Sequence, residues 1–200
     1  MDITGKKISI IGAVRSGIGA AKLAKKQGAI PFVSDSGSRG LMEKSLLIFQ
    51  TEGIANEFEA HSDKVYECDL MITSPGVPTD SPVLTKAREK GIDIVSEVEF
   101  ASWFCKGEII AVTGTNGKTT TTSLMNHTLN ECGIKCYPAG NIGNAFSEIV
   151  LDVEENEYVA LETSSFQLDF IKEFKPRFSM ILNIIIDFFI QIQFLFFFRI

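Results

Sequence analysis

The segment 111–122 constrains the fold of this chain more than any other part, because it has the pattern of a phosphate-binding loop. It reads Ala-Val-Thr-Gly-Thr-Asn-Gly-Lys-Thr-Thr-Thr-Thr and follows an apolar run, Glu108–Val112, that predicts a buried strand. Gly114 and Gly117 let the backbone turn so that its N–H groups point at anionic oxygens. A helix from Thr119 to about Cys132 would aim its positive dipole end at the same place. A strand, a glycine loop and a helix in this order predict a site for nucleotide phosphates.

Two side chains of this loop carry the predicted chemistry. Lys118 can reach the outer phosphates of a nucleotide, and the hydroxyl of Thr119 can hold Mg²⁺. The general pattern has a glycine where this chain has Val112, so the loop is the shorter variant Gly-x-x-Gly-Lys-Thr. The alternative interpretation is a glycine turn that binds nothing, but the strand before the loop and the helix after it argue against that.

The composition is that of a globular protein, since 45% of the 200 residues are hydrophobic and 22% are charged. The net charge of −6 argues against a nucleic-acid-binding protein, because nothing basic clusters to meet a phosphate backbone. The four cysteines lack the paired spacing of a zinc site, and Met1–Ile3 begins no signal peptide. We therefore expect a reduced, soluble, cytoplasmic protein that binds neither nucleic acid nor membrane.

The first half of the chain opens with a predicted strand, turn, helix and strand over residues 6–35. The turn Gly12–Gly19 is similar to the dinucleotide-binding fingerprint, but Val14 takes the place of its middle glycine. Asp35 follows the second strand, where a ribose or a base would be held. Three interpretations stay open: a nicotinamide site, tight packing without a ligand, and a site for another nucleotide such as a uridine diphosphate. We favour the last.

Strands that alternate with helices predict an α/β fold with a doubly wound parallel sheet. Further strands are predicted at Leu70–Thr73 and Asp93–Val95, and helices at 40–51, 81–90 and 97–104. The loop Ser74–Pro78 directly follows a strand, which places it at the sheet edge where such folds bind ligands. A stiff connector is an equally good interpretation of this loop from its local sequence.

The second half begins near Lys106 and has the same predicted alternation of strands and helices, here with the phosphate-binding loop after its first strand. A strand is predicted at Ile134–Pro138, a glycine-rich turn at Gly140–Gly143 and another strand at Tyr158–Leu161. Glu162 ends that strand, where a carboxylate next to a phosphate-binding loop is placed to hold Mg²⁺. The alternative is a solvated acid at a strand end.

Three segments together resemble the Mur ligase family, the ATP-dependent amide ligases of peptidoglycan synthesis. They are Val112–Thr120, Gly140–Gly143 and Leu161–Leu168. Within the family, Leu161–Leu168, Thr73–Val77 and Ser96–Glu99 resemble the members that add D-glutamate. The resemblance implies a Rossmann-like amino-terminal domain for a uridine diphosphate substrate, followed by a truncated P-loop ATPase-type central domain for Mg-ATP.

The resemblance also implies roles for individual residues. It places Asp35 and Ser36 near the uracil and Asn141 on the diphosphate side of the muramoyl substrate. The other implied substrate-binding residues are Val14, Arg15, Ser16, Gly17, Ser74, Pro75 and Gly76. The implied ATP-binding residues are Gly114, Thr115, Asn116, Gly117, Lys118, Thr119 and Thr120. Thr119 and Glu162 would hold the metal, and Lys118 and Glu162 would serve catalysis.

The reaction that the resemblance implies joins UDP-N-acetylmuramoyl-L-alanine to D-glutamate. The L-alanyl carboxylate is phosphorylated by ATP to an acyl phosphate, the D-glutamate amine attacks it, and phosphate leaves. Lys118 and Mg²⁺ would mainly position two anions and neutralise their charge. We expect a monomer. The alternative function is a nucleotide-binding module without ligase activity.

The expected domain organisation has four parts. Residues 1–93 form the uridine-substrate domain, 94–105 a linker, 106–183 part of the ATP-binding domain and 184–200 an aberrant apolar tail. Phe188 occupies the position of a histidine that contributes to a second metal site in the family, and phenylalanine and isoleucine dominate the residues after it. We interpret the tail as the product of a frameshift or truncation, so the chain is expected to be an inactive fragment. A tail strand over Phe178–Ile186 is the other structured possibility.

Overall fold

Two parallel β-sheets with flanking helices form the framework of the protein. The computed structural model describes residues 1–184. The first sheet has the strand order β3-β2-β1-β4-β5 and the second has the order β7-β8-β6-β9. The strands are β1 Lys7–Ile11, β2 Ile30–Asp35, β3 Ala55–Phe58, β4 Leu70–Thr73, β5 Ile94–Ser96, β6 Glu108–Thr113, β7 Cys136–Gly140, β8 Tyr158–Glu162 and β9 Phe178–Ile181. The α-helices are α1 Arg15–Lys26, α2 Glu43–Thr51, α3 Pro82–Glu89, α4 Glu97–Ser102, α5 Lys118–Glu131, α6 Phe146–Ile149 and α7 Ser165–Leu168.

Each sheet reverses its strand order at the strand that precedes a predicted ligand loop. Strand β1 lies between β2 and β4, and β6 lies between β8 and β9, with all pairs parallel. The central strands are buried on both faces, which explains their continuous apolar sequences. Open parallel sheets bind ligands in the crevice at such a reversal, beyond the carboxyl ends of the strands. The α/β fold with two parallel sheets is thus as predicted, and it creates one crevice per sheet.

The segment 94–105, predicted to be a linker, is packed structure. Ile94–Ser96 is the fifth strand of the first sheet, and the following helix α4 buries Val98, Phe100 and Ala101. These side chains belong to a core that also includes residues of the second half, such as Phe146. The helix thus buries its apolar face between the two halves, and the division of the chain into domains at this segment stays a prediction.

Glu99 anchors helix α4 to the loop before β9. Its carboxylate is fully buried and accepts the indole N–H of Trp103 at 2.8 Å. It also accepts the backbone N–H groups of Lys172, Glu173 and Phe174 at distances of 2.8–3.1 Å. A buried carboxylate is stable only when its oxygens are hydrogen-bonded in this way. Glu99 is hence part of the interior rather than of a solvated face.

Most predicted elements are present with ends that differ by one to three residues. The strand predicted at Ile134–Pro138 is shifted and spans Cys136–Gly140, and the helix predicted over 40–51 begins as a 3₁₀ turn at Arg39–Met42. Strand β3 and the short helices α6 and α7 were not predicted. Of the possible tail strand Phe178–Ile186, the part Phe178–Ile181 pairs with β6. Residues 185–200, with Asp187 and Phe188, lie outside the described residues.

Within residues 1–184, no helix is both long and apolar enough to cross a membrane.

Candidate active site

A cavity of about 850 Å³ lies at the carboxyl edge of the first sheet. All the predicted substrate-binding residues except Gly17 line it: Val14, Arg15, Ser16, Asp35, Ser36, Ser74, Pro75, Gly76 and Asn141. Ser74 and Ser81 line it, and each has a buried hydroxyl with no hydrogen-bond partner among the described residues. A polar ligand that reached these hydroxyls would be favoured, because a buried polar group without a partner is costly.

The amino terminus of helix α1 faces this cavity. Val14 precedes the helix, and Arg15 and Ser16 form its first turn, where backbone N–H groups have no partner within the helix. Gly17 lies behind them, and a Cβ atom there would come within 1.9 Å of the Gly12 carbonyl oxygen. Glycine is therefore required at position 17 for the turn to pass so close to the helix. The resulting N-terminus is a suitable anion site.

Asp35 ties the glycine-rich turn to the loop after β2. Its two carboxylate oxygens accept the backbone N–H groups of Ala13 at 2.6 Å and of Gly37 at 2.7 Å. Each oxygen keeps a second lone pair, so the carboxylate can still accept a hydrogen bond from a ligand. Asp35 thus shapes the cavity as well as lining it.

His61 lines the same cavity and was missed by the sequence analysis. Its Nδ1 lies 2.7 Å from the hydroxyl oxygen of Ser34, which in turn lies 2.7 Å from Oε1 of Glu57. Burial lowers the pKa of His61, and the charges of Glu57 and Asp35 oppose that effect without overcoming it. A single histidine in a loop carries no spacing signal, so only the fold reveals it.

The phosphate-binding loop has the predicted strand–loop–helix geometry. Helix α5 begins at Lys118, directly after Gly117, whose φ of +85° is the left-handed conformation that glycine adopts without strain. The ammonium of Lys118 donates to the carbonyl oxygens of Gly114 at 2.7 Å and of Thr115 at 3.1 Å. It is thereby folded back over the loop that would hold the phosphates.

Asn183, at the end of the described chain, holds the loop in this shape. Its carbonyl oxygen accepts the N–H of Thr115 at 3.1 Å, and its Oδ1 accepts the N–H of Asn116 at 2.8 Å. The Asn183 side-chain amide donates back to the Asn116 carbonyl at 2.9 Å. No role was predicted for Asn183, because it follows β9, far along the chain from the loop.

The residues predicted to hold the metal are in contact with each other. The hydroxyl of Thr119 donates to Oε2 of Glu162 at 2.8 Å, and the side-chain amide of Asn141 donates to Oε1 at 3.1 Å. Glu162 is only 2% exposed and ends β8, next to β6 and its loop. A hydroxyl and a carboxylate are the hard oxygen ligands that Mg²⁺ prefers. Thr119 and Glu162 therefore fit Mg²⁺, whose other ligands would come from phosphate and water.

Among the described residues, no cluster of three or more His, Cys, Asp or Glu side chains is suited to a metal.

Arg15 joins the two crevices. Its guanidinium donates to the carbonyl oxygens of Gly143 at 2.6 Å and of Asn141 at 3.2 Å, across 126–128 positions of sequence. Asn141 lines the first cavity and also contacts Glu162 beside the phosphate-binding loop. The cavity of the first sheet and the loop of the second sheet therefore meet at the turn Gly140–Gly143.

Two family models match the chain. The Mur ligase MurD-like N-terminal domain matches residues 6–96, and the Mur ligase middle domain matches residues 112–188. The chain is 45% identical over 184 residues to UDP-N-acetylmuramoylalanine–D-glutamate ligase of Christiangramia forsetii, covering 92% of this chain and 41% of that protein. It is 42% identical over 193 residues to the enzyme of the same name from Chloroherpeton thalassium, covering 93% of this chain and 41% of that protein. The chain thus spans about two fifths of the length of the curated relatives it matches.

Solved structures agree on the fold. UDP-N-acetylmuramate-alanine ligase MurC from Thermotoga maritima is 24% identical, with a TM-score of 0.58 over 94% of this chain and 44% of that one. A UDP-N-acetylmuramate:L-alanyl-gamma-D-glutamyl-meso-diaminopimelate ligase from Neisseria meningitides is 18% identical, with a TM-score of 0.58 over 91% of this chain and 61% of that one. The family is shown by the two domain matches and by the identity to D-glutamate ligases along nearly the whole chain. The chain belongs to the Mur ligase family.

Proposed function

We propose that the chain is the nucleotide-binding part of an enzyme that joins D-glutamate to UDP-N-acetylmuramoyl-L-alanine with ATP, in the cytoplasm. The observation that carries this proposal is the position of Asn141. It lines the cavity of the first sheet while its amide donates to Glu162, the partner of Thr119 beside the phosphate-binding loop. A substrate bound in that cavity and a nucleotide bound at that loop would have neighbouring reactive ends.

The first cavity would bind the uridine diphosphate of the substrate. The N-terminus of α1 offers backbone N–H donors at Arg15 and Ser16 to the diphosphate, and the unpartnered hydroxyl of Ser74 lies on the same wall. The muramoyl and L-alanyl groups would then extend towards Asn141 and the second crevice. The role of these residues is to fix the alanyl carboxylate in line with the terminal phosphate.

The second crevice would bind Mg-ATP. The ammonium of Lys118 would exchange the carbonyl oxygens of Gly114 and Thr115 for phosphate oxygens, which carry more charge. Thr119 and Glu162 would hold Mg²⁺, which supplies charge neutralisation for the transferred phosphoryl group. The residues of this chain thus bind, orient and neutralise, and they need form no covalent bond.

We assign the D-glutamate site to a part of the enzyme outside residues 1–184. The relatives named above are more than twice as long as this chain, and the amine must be held within about 3–3.5 Å of the acyl phosphate. The second candidate, a nucleotide-binding module without ligase activity, predicts the same binding to the described residues. The two differ only in whether D-glutamate is consumed.

Phosphate release therefore tests the proposal. In the full-length enzyme that carries this chain, release from ATP is expected to require both UDP-N-acetylmuramoyl-L-alanine and D-glutamate. Residues 1–200 alone are expected to bind both nucleotides and release no phosphate. L-glutamate serves as the control substrate, and Glu162→Gln as the control variant that loses turnover. If the full-length enzyme binds both nucleotides and releases no phosphate with D-glutamate present, the binding module is the better description.

A further inference from the structure

The ring of His61 is held in one protonation pattern by its neighbours. Glu57 accepts three hydrogen bonds, from the Ser34 hydroxyl at 2.7 Å, the Ser62 N–H at 2.9 Å and the Ser62 hydroxyl at 2.6 Å. Although burial opposes it, these hydrogen bonds from Ser62 and Ser34 lower the pKa of Glu57. Glu57 is therefore a carboxylate at neutral pH, and a carboxylate can only accept.

The tautomer of His61 follows from this arrangement. Ser34 has one hydroxyl proton, which it must donate to the carboxylate of Glu57. The oxygen of Ser34 can then only accept from His61, so the proton of the neutral imidazole is on Nδ1. The lone pair is on Nε2, which has no hydrogen-bond partner among the described residues. His61 consequently brings a fixed hydrogen-bond acceptor to the cavity that it lines.

The position of His61 along the sheet edge indicates which part of a nucleotide it meets. The proposed diphosphate site follows β1, Asp35 ends β2, and His61 follows β3, the outermost strand on that side. In open parallel sheets the phosphates lie at the first strand and the nucleoside near the acid that ends the second. A nucleotide that continues in the same direction places its base between Asp35 and His61, which line the same cavity.

We propose that Nε2 of His61 accepts a hydrogen bond from the N3–H of uracil and so selects uridine nucleotides. The inference rests on the proposed function, because it concerns the ligand of the same cavity. Uracil offers a donor at N3, whereas cytosine offers an acceptor there, which would face the Nε2 lone pair. His61 is thus a binding residue that determines base specificity.

Protonation of His61 would reverse the contact. The charged groups that face the ring are Glu57 on β3 and Asp35 on β2, and burial outweighs both, so the pKa of His61 is lowered from its ordinary value. Above the folded-state pKa Nε2 accepts a hydrogen bond, and below it the protonated nitrogen donates one. Affinity for UDP-N-acetylmuramoyl-L-alanine should therefore be constant near neutral pH and fall in acid.

Calorimetric titrations with UDP, 3-methyl-UDP and 2′-deoxy-UDP test the proposal on the same polypeptide. His61→Ala is expected to weaken UDP binding about tenfold and to lose about tenfold of the discrimination against 3-methyl-UDP. His61→Gln, which keeps an acceptor of similar reach, should retain most of the affinity and lose the fall in acid. The control is His127→Ala, an exposed histidine on α5, which should match the parent. Thermal melting of each variant reports whether the fold is intact.

Each remaining outcome contradicts the proposal in a distinct way. If the parent binds UDP and His61→Ala binds it equally well, the histidine is not a ligand contact. If the variant loses the same factor for UDP and 3-methyl-UDP, its role is structural, and if the factor is lost only for 2′-deoxy-UDP, it contacts the ribose. A parent that binds no uridine nucleotide would overturn the proposed function together with this inference.

Discussion

Lys118→Ala is expected to weaken Mg-ATP binding by about a hundredfold or more and to leave the fold intact. Among the described residues the ammonium donates to two carbonyl oxygens of its own loop, so its loss removes little that stabilises the fold. A bound nucleotide would lose a charge-assisted contact to its outer phosphates, which is among the stronger polar interactions. Calorimetry with Mg-ATP measures the affinity, and thermal melting measures the fold.

Adenosine and a second lysine provide the controls for this prediction. Adenosine has no phosphates, so the parent and Lys118→Ala should bind it with similar affinity. Lys106→Ala removes an exposed lysine that is paired with Glu154, away from the loop, and should leave Mg-ATP affinity unchanged. Equal affinity of Lys118→Ala and the parent for Mg-ATP would mean that the loop is only a turn.

Glu99→Ala is expected to lower the free energy of unfolding by about 3–5 kcal/mol. The substitution leaves the indole N–H of Trp103 and the backbone N–H groups of Lys172, Glu173 and Phe174 without their acceptor in the interior. Unpaired buried donors of this kind carry most of the cost. Urea denaturation followed by circular dichroism measures the change.

Two further substitutions show whether the acceptors are the cause. Glu99→Gln keeps one acceptor oxygen and should cost less than alanine, while Glu89→Ala, at the exposed end of α3, should change stability by less than about 0.5 kcal/mol. A stability of Glu99→Ala within 1 kcal/mol of the parent would contradict this role, since the usual cost of removing a buried charged partner is about 3–5 kcal/mol.

The parts of the fold that the sequence predicts well are those with local signals. The strand Glu108–Thr113 is a continuous apolar run, and the loop after it needs glycine and lysine at fixed positions. The first turn of α1 was likewise recognisable, because Gly12 and Gly17 permit a close approach of backbone atoms. In these places the residue types follow from the local geometry.

Features that depend on distant contacts were missed. Strand β3 reads Ala-Asn-Glu-Phe, which has weak strand propensity, and it forms because β2 offers a parallel partner. Helix α4 was predicted as a helix, but the burial of its two acidic residues, Glu97 and Glu99, against the second half was not. The roles of His61 and Asn183 likewise become visible only when separate loops meet.

Glu97 shows why the burial of acidic residues in a short helix could not be predicted from the sequence. It is 1% exposed, and its carboxylate accepts the N–H of Ser147 at 2.7 Å. Burial raises the pKa of Glu97, with the hydrogen bonds from Ser147 opposing it. Acids in the first turn of a helix are common on protein surfaces because they favour the helix dipole, so the sequence alone gives no reason to expect burial.

The central claim is that the first cavity binds a uridine diphosphate substrate rather than a dinucleotide cofactor. Titration of the 200-residue chain with UDP-N-acetylmuramoyl-L-alanine and, separately, with NAD tests it most directly. We predict saturable binding of the uridine compound and much weaker binding of NAD, because Val14 replaces the middle glycine of the dinucleotide fingerprint. Tighter binding of NAD would contradict the account.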